Sequence, residues 1–331
     1  MERFVAIDNV CAWPNLTPMP DDSIVATVFN QPCHGLWEGD VECWASTDGG
    51  RLWKLRGVPA PHEPGTNRMN VSAGLAHDGS LVVIASGWSH KVPKGQEPTS
   101  GNSDDPREVL TPWVCRSTDG GCSWEHTETV IVADEVPPLI PFGDIVRSPD
   151  GTLGTSVYTW PGDRKCDACV LRSRDDGRTW SELVVIGAED YNETDLLCLD
   201  GRQWLAACRT AKDAHLELFA SQDAGSSWTR KGPLTLPDQH PAHLLQLADG
   251  RILLTYGIRN RGLLGVGARL SADGGDTWET PRLLVDLENA KDGGYPSSVQ
   301  LPDGTIVTAY YCSGVQAHGR YHMGVLRWSA E

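Results

Sequence analysis

The 331-residue sequence has no apolar run long enough to cross a bilayer as a helix. It has no basic excess either. Lys and Arg total 28 against 44 Asp and Glu, a formal charge of −16. That balance argues against nucleic acid or an anionic membrane as partner, since both demand a positive surface. The first residues, MERFVAIDNV, lack a basic segment followed by an apolar one. A cytoplasmic location is therefore expected. The ten cysteines show no disulfide framework, and reduced thiols are the simpler reading. Cys166 and Cys169 form one C-x-x-C, without a second pair or a nearby His. That is too little for a zinc site, and no metal or organic cofactor is expected. The oligomeric state is left open.

What the sequence does have is repetition. S-x-D-x-G-x-x-W occurs five times, as STDGGRLW (46–53), STDGGCSW (117–124), SRDDGRTW (173–180), SQDAGSSW (221–228) and SADGGDTW (271–278). A second repeat runs in phase with it: MPDDSIVATVF (19–29), AHDGSLVVIAS (76–86), SPDGTLGTSVY (148–158), CLDGRQWLAAC (198–208), LADGRILLTYG (247–257) and LPDGTIVTAYY (301–311). Each is an apolar run, a two-residue Asp-Gly-type turn and a β-rich run, which is a hairpin pattern. A further strand leads into each S-x-D turn. Four antiparallel strands recurring about every fifty residues describe a propeller blade. Six hairpins and five S-x-D turns predict an all-β, six-bladed β-propeller, residues 1–331 forming one domain. The N-terminal ERFVAID would close the last blade beside YHMGVLRW (321–328), removing an open edge.

The repeated turn is explained by folding alone. Ser and Asp side chains bond nearby amides, Gly takes a positive φ, and Trp packs on the adjacent hairpin. Asp48, Asp119, Asp175, Asp223 and Asp273 are therefore structural. The strand order puts these turns on the same face as the Asp-Gly turns. Residues just before each inner strand and just after each second strand converge on the opposite mouth, where a ligand is expected. They include Trp13 and Asn15, Arg68 and Asn70, Asp144, Glu193, His240 and His243, Tyr295, Trp88, Trp160, Arg209 and Arg259. Asp195 and Arg261 are expected to face solvent or to bridge blades. The long loop 89–110 lies over the same mouth as a lid or a solvated insertion.

The S-x-D turns resemble the Asp boxes, or BNR repeats, of the sialidase superfamily, and six blades is that family's usual architecture. The resemblance covers essentially the whole chain. It implies a tyrosine nucleophile with a glutamate partner, an acid/base aspartate, and arginines that grip a substrate carboxylate. NETDLLCLDGRQWLAACRT (192–210) matches the segment carrying the glutamate and one arginine, so Glu193 would be the partner and Arg209 a substrate-binding arginine. Arg259, in LLTYGIRNR, takes the corresponding place one blade later, and GGYPSSVQLPDGTIVTAYY (293–311) makes the nucleophile Tyr295. The family's first arginine sits in an R-I-P motif. Here that place reads AWPNLTP (12–18), with Arg68 on the next blade as a substitute. Asp144 is the candidate acid, with Asp104 or Asp105 as alternatives. Asn70, His240 and His243 are candidate substrate contacts.

The resemblance thus implies an exo-acting hydrolase of a terminal acidic sugar, with an anionic carbohydrate as partner. A uronate-directed hydrolase or lyase using His240 or His243 is one alternative. A non-catalytic sugar-binding propeller is another.

Overall fold

The computed structural model describes residues 1–33, 38–90, 107–162, 165–288 and 290–331. Asp104 and Asp105, and most of the 89–110 loop, lie outside these. The described residues are all-β. After β1 (Glu2–Asp8), units of four strands follow one another, the second with one short extra strand. The first is β2 (Ala12–Pro18), β3 (Ile24–Phe29), β4 (Val41–Ser46) and β5 (Lys54–Ala60). The second is β6 (Thr66–Leu75), β7 (Leu81–His90), the short β8 (Arg107–Val109), β9 (Trp113–Ser117) and β10 (Glu125–Thr127). The third is β11 (Leu139–Arg147), β12 (Leu153–Thr159), β13 (Ala168–Ser173) and β14 (Glu182–Gly187). The fourth is β15 (Tyr191–Cys198), β16 (Trp204–Thr210), β17 (Leu216–Ser221) and β18 (Thr229–Pro233). The fifth is β19 (Gln239–Gln246), β20 (Ile252–Asn260), β21 (Leu263–Ser271) and β22 (Arg282–Asp286). The chain ends with β23 (Gly293–Gln300), β24 (Ile306–Cys312) and β25 (His322–Trp328).

The arrangement is a β-propeller, but the expectation of six separate blades needs correction. Four sheets stand alone as four-stranded blades: β2–β5, β15–β18, β19–β22, and β23–β24–β25–β1. The second and third units are fused into one nine-stranded sheet. Their inner strands β6 and β11 pair in parallel, Gly143 with Ser72 and Asp144 with Ala73. Two glycines permit this. A Cβ on Gly74 would lie 2.4 Å from the Ile145 carbonyl oxygen, and Gly143 takes φ +78°. No other residue type allows that backbone approach. The inner strands still neighbour one another in a closed cycle, β2, β6, β11, β15, β19, β23 and back to β2. The N-terminal β1 pairs antiparallel with β25, so the outer edge of the last sheet comes from the start of the chain.

The S-x-D turns repeat one bonding scheme. In SADGGDTW, Ser271 Oγ donates to Asp273 Oδ1 and accepts from the Gly275 amide, Asp273 Oδ1 accepts from the Thr277 amide, and Trp278 Nε1 donates to the Gly275 carbonyl. The same four bonds recur at Ser46–Trp53 and Ser173–Trp180. Arginines from the preceding unit lock onto the turns. Arg116 donates to the Asp176 carbonyl at 2.7 Å and Arg172 to the Ala224 carbonyl at 3.0 Å. The cores lie between adjacent units, where Trp180 and Trp204 are completely buried. None of these turn residues lines the cavity described next.

Candidate active site

Each inner strand carries a register break at the same height. The breaks fall between Ala12 and Asn15, Arg68 and Asn70, Phe142 and Ile145, Tyr191 and Thr194, Gln239 and Ala242, and Gly294 and Ser297. A bulge leaves residues unpaired and re-aims their side chains. The inner-strand candidates thus stand within those strands, at or beside bulges, and not just before them as the sequence led one to expect, while Arg209 and Arg259 stand near the ends of the second strands β16 and β20. At two bulges the backbone is in the left-handed region without glycine, Trp13 at φ +42° and Tyr295 at φ +50°. Such strain persists where the surroundings over-determine it.

The bulges surround a cavity of about 310 Å³, at the lower end of small-ligand pockets (about 300–1,000 Å³) and suited to one sugar residue. Its walls include Trp13, Asn15, Met69, Asn70, Trp88, Phe142, Tyr158, Trp160, Asn192, Glu193, Asp195, Arg209, His243 and Tyr295. At its centre the Tyr295 hydroxyl donates to Glu193 Oε1, and Arg209 Nη1 donates to Glu193 Oε2. Burial alone would raise the Glu193 pKa, but the Arg209 charge and the Tyr295 hydrogen bond outweigh it, and the carboxyl is held below its ordinary value. Burial and the Glu193 charge push the Tyr295 phenol well up. The result is a neutral phenol bonded to an ionised base.

Arg259 lies behind Tyr295. Its guanidinium carbon is 5.3 Å from the Tyr295 ring centroid, and Nη2 donates to the Gly293 carbonyl at 3.0 Å and the Tyr311 hydroxyl at 3.1 Å. Asp292 is 3.6 Å from Arg259 and accepts from the Tyr311 hydroxyl at 2.7 Å. The cavity wall contains Tyr295 but not Arg259. Arg68 is also off the wall. It is 3% exposed, stacks 3.8 Å over Trp113 and donates to the Thr111 carbonyl. From that strand Met69 and Asn70 face the cavity instead.

A second polar cluster adjoins the dyad. Asp144 accepts from Asn15 Nδ2 at 2.9 Å and lies 3.3 Å from His243 Nε2. It reaches the cavity through these two neighbours, which line it. Burial lowers the His243 pKa, but Asp144 and Asp195 raise it further, leaving it above the ordinary histidine value. Asp195 bridges units, as one of its expected roles had it, accepting the Asp144 amide at 3.3 Å and the Leu244 amide at 2.6 Å. Burial raises it to about 7, with His243 opposing and Asp144 adding to the shift. His240 is 4% exposed. Burial, then the charges of Arg209 and Arg259, lower it to about 3, so its imidazole is neutral.

Sequence reasoning missed the Asp292–Tyr311 pair that holds Arg259. The one available signal was the acidic residue just before GGYP. It also missed Met69, Phe142 and Asn192, which stand at the bulges or at their edge, and Tyr158, which reaches the wall from the regularly paired β12. Among the described residues no group of His, Cys, Asp and Glu is placed to hold a metal.

A family model for a BNR repeat-like domain matches residues 22–308. The chain belongs to the BNR repeat-like domain family. It is 26% identical over 348 aligned positions to a sialidase of Micromonospora viridifaciens, covering 93% of this chain and 52% of that protein. The chain thus spans about half the length of the curated relative it matches. Among solved structures, a protein of unknown function from Dyadobacter fermentans superposes with TM-score 0.78 at 22% identity, covering 99% of this chain and 97% of that one. A Hadza microbial sialidase gives 0.73 at 18%, covering 96% and 65%, and the NanB sialidase of Streptococcus pneumoniae 0.70 at 12%, covering 99% and 70%. These likenesses share the fold.

Proposed function

We propose that the protein is a retaining, exo-acting glycoside hydrolase of sialidase type. One observation carries this reading: the Tyr295 hydroxyl is hydrogen-bonded to the Glu193 carboxylate, itself paired with Arg209, in a cavity sized for a single sugar. A buried phenol is a weak nucleophile until a neighbouring base takes its proton. In the first step Tyr295 Oη bonds to the anomeric carbon and its proton passes to Glu193. The bond from that carbon to the leaving oxygen breaks, and this oxygen takes a proton from the Asp144–His243 pair. In the second step water attacks the anomeric carbon and gives a proton to the same pair. The bond from that carbon to Tyr295 breaks as the bond to water forms, and Glu193 returns the phenolic proton. The sum is addition of one water across the glycosidic bond, with the tyrosine in the place that most glycosidases give to a carboxylate.

A single fold hosts many unrelated activities, so the reaction rests on the site and not on the propeller. A lyase based on His240 has less support, because an imidazole lowered to about 3 is a weak base and it lies off the cavity wall. The test is turnover of a panel of aryl glycosides, acidic and uncharged, by the wild-type chain and by Tyr295→Phe. The variant should lose at least about 10³-fold in kcat/KM at an unchanged thermal midpoint. A Tyr295→Phe protein with full activity overturns the mechanism, and binding without turnover across the panel leaves a sugar-binding propeller.

A further inference from the structure

The cavity's charges already have partners. Arg209 is the one arginine or lysine among the described residues of its wall, and it donates to Glu193. Arg259 is turned behind Tyr295 and is held by Gly293, Tyr311 and Asp292. His243 faces Asp144, and His240 is uncharged. A sugar carboxylate drawn to the remaining Arg209 donors would set a second negative charge beside ionised Glu193, two carboxylates sharing one guanidinium in a largely buried site. The unmatched charge is costly there.

The uncharged part of the wall suits a different ligand. Trp13, Trp88 and Trp160 are each partly buried and line the cavity. Trp13 stacks on Phe29 with centroids 5.5 Å apart and planes at 15°, while Trp88 and Trp160 meet edge to face at 5.3 Å. Such fixed indoles present flat apolar faces to a sugar ring. Asn15 and Asn70 add amides, and each keeps an Oδ1 without a hydrogen-bond partner among the described residues. The orientation of Asn15 is set, because its Nδ2 donates to both the Gly143 carbonyl and Asp144. Its oxygen therefore remains the acceptor. Arg209 Nε is an unpaired donor in the same wall. A hydroxyl both donates and accepts, so it satisfies either kind of group. An ionised carboxylate has no proton for the asparagine oxygens.

We infer that the sugar bound here is an uncharged pyranoside, its ring face on the indoles and its hydroxyls toward Asn15 and Asn70, in place of the acidic sugar that the resemblance implied. This rests on the reading of the cavity as a glycoside site, and its test is arranged to fail separately. Binding to Tyr295→Phe is measured calorimetrically for matched methyl glycosides that differ only in a carboxylate, glucoside against glucuronide and galactoside against galacturonide, with a methyl sialoside included. An uncharged member should bind at least about tenfold tighter than every acid, and Asn70→Ala should weaken it about tenfold. Trp13→Ala serves as a second variant, judged only where its thermal midpoint is retained, and should weaken the same ligand. An acid that binds as tightly as the uncharged sugars overturns the inference, as does binding by no sugar at all. Turnover by the wild-type chain is read independently. Turnover with a preference for acids sinks this inference and keeps the hydrolase, whereas uncharged-sugar binding without turnover does the reverse.

Discussion

Tyr295 and Glu193 stand 102 residues apart in the chain and meet in one hydrogen bond, phenol to carboxylate. Each occupies a bulge on its own inner strand, β23 for the tyrosine and β15 for the glutamate. Both partners are needed in this arrangement. Glu193→Gln keeps the shape but removes the base. It should lower kcat/KM about as far as Tyr295→Phe, and the double variant should cost little more than either alone. Additive losses in that cycle would show that the two groups act independently.

Arg209 holds the Glu193 charge inside the wall. The pair is mostly buried, with side chains 24% and 14% exposed. Arg209→Ala leaves the carboxylate without its counter-charge and should destabilise the fold by about 3–5 kcal/mol. Urea unfolding measures this, and a loss under about 1 kcal/mol would place the pair's energetics at the surface level.

The pH profile should be broad. Glu193 acts ionised and its pKa is depressed, so activity is lost on the acid side only as pH falls below the ordinary value of 4.5. His243 donates as the cation and its pKa is raised, so the alkaline limb lies above 6.5. His243→Phe should remove that limb for substrates with poor leaving groups and leave activated aryl glycosides nearly unaffected. An alkaline limb unchanged in the variant would take His243 out of proton transfer.

The S-x-D turns should govern stability and leave chemistry alone. Trp180 is fully buried, and Trp180→Ala should cost about 3–5 kcal/mol with kcat preserved at low temperature. The turn carboxylates also predict acid sensitivity. Hydroxyl and amide donors depress Asp119, Asp223 and Asp273, and at Asp48 and Asp175 burial opposes this shift without reversing it. Their contribution is fully present above the unfolded value near 3.8 and is lost as pH falls through the lower folded values. Thermal midpoints between pH 6 and pH 3 would show the fall, which should shrink when Asp175 is replaced by Asn.

Asp195 should matter for assembly of the site. It accepts two backbone amides from neighbouring inner strands. Asp195→Ala leaves both buried donors without their acceptor and should destabilise by about 2–5 kcal/mol. It should also lower kcat, because the inner strands bearing Asp144 and His243 lose their common anchor. A variant of native stability would deny Asp195 that bridging role.

The repeats were enough to settle the all-β class, the propeller and the closing β1 strand. Each S-x-D turn is a local device, with its hydrogen bonds made within eight residues. The same locality explains why Asp48 and its four counterparts were legible as structural. The repeat put Glu193, Arg209 and Tyr295 among the residues expected at one mouth, the family resemblance singled them out, and the structure brings their side chains together. The fusion of two units was not legible, because it depends on β6 and β11 approaching across Gly74 and Gly143. Nor were the orientations of Arg68, turned onto Trp113, and Arg259, tied to Tyr311 and Asp292. Both arginines belong by sequence to strand segments near the mouth. At Arg68 the face depends on a one-residue bulge, since one extra residue reverses the alternation of a strand. Arg259 stands on the regular β20, and its direction is set by side-chain partners from the next unit. The repeating sequence thus determined the frame and the ring positions, and packing between strands distant in sequence decided which side chains face the cavity.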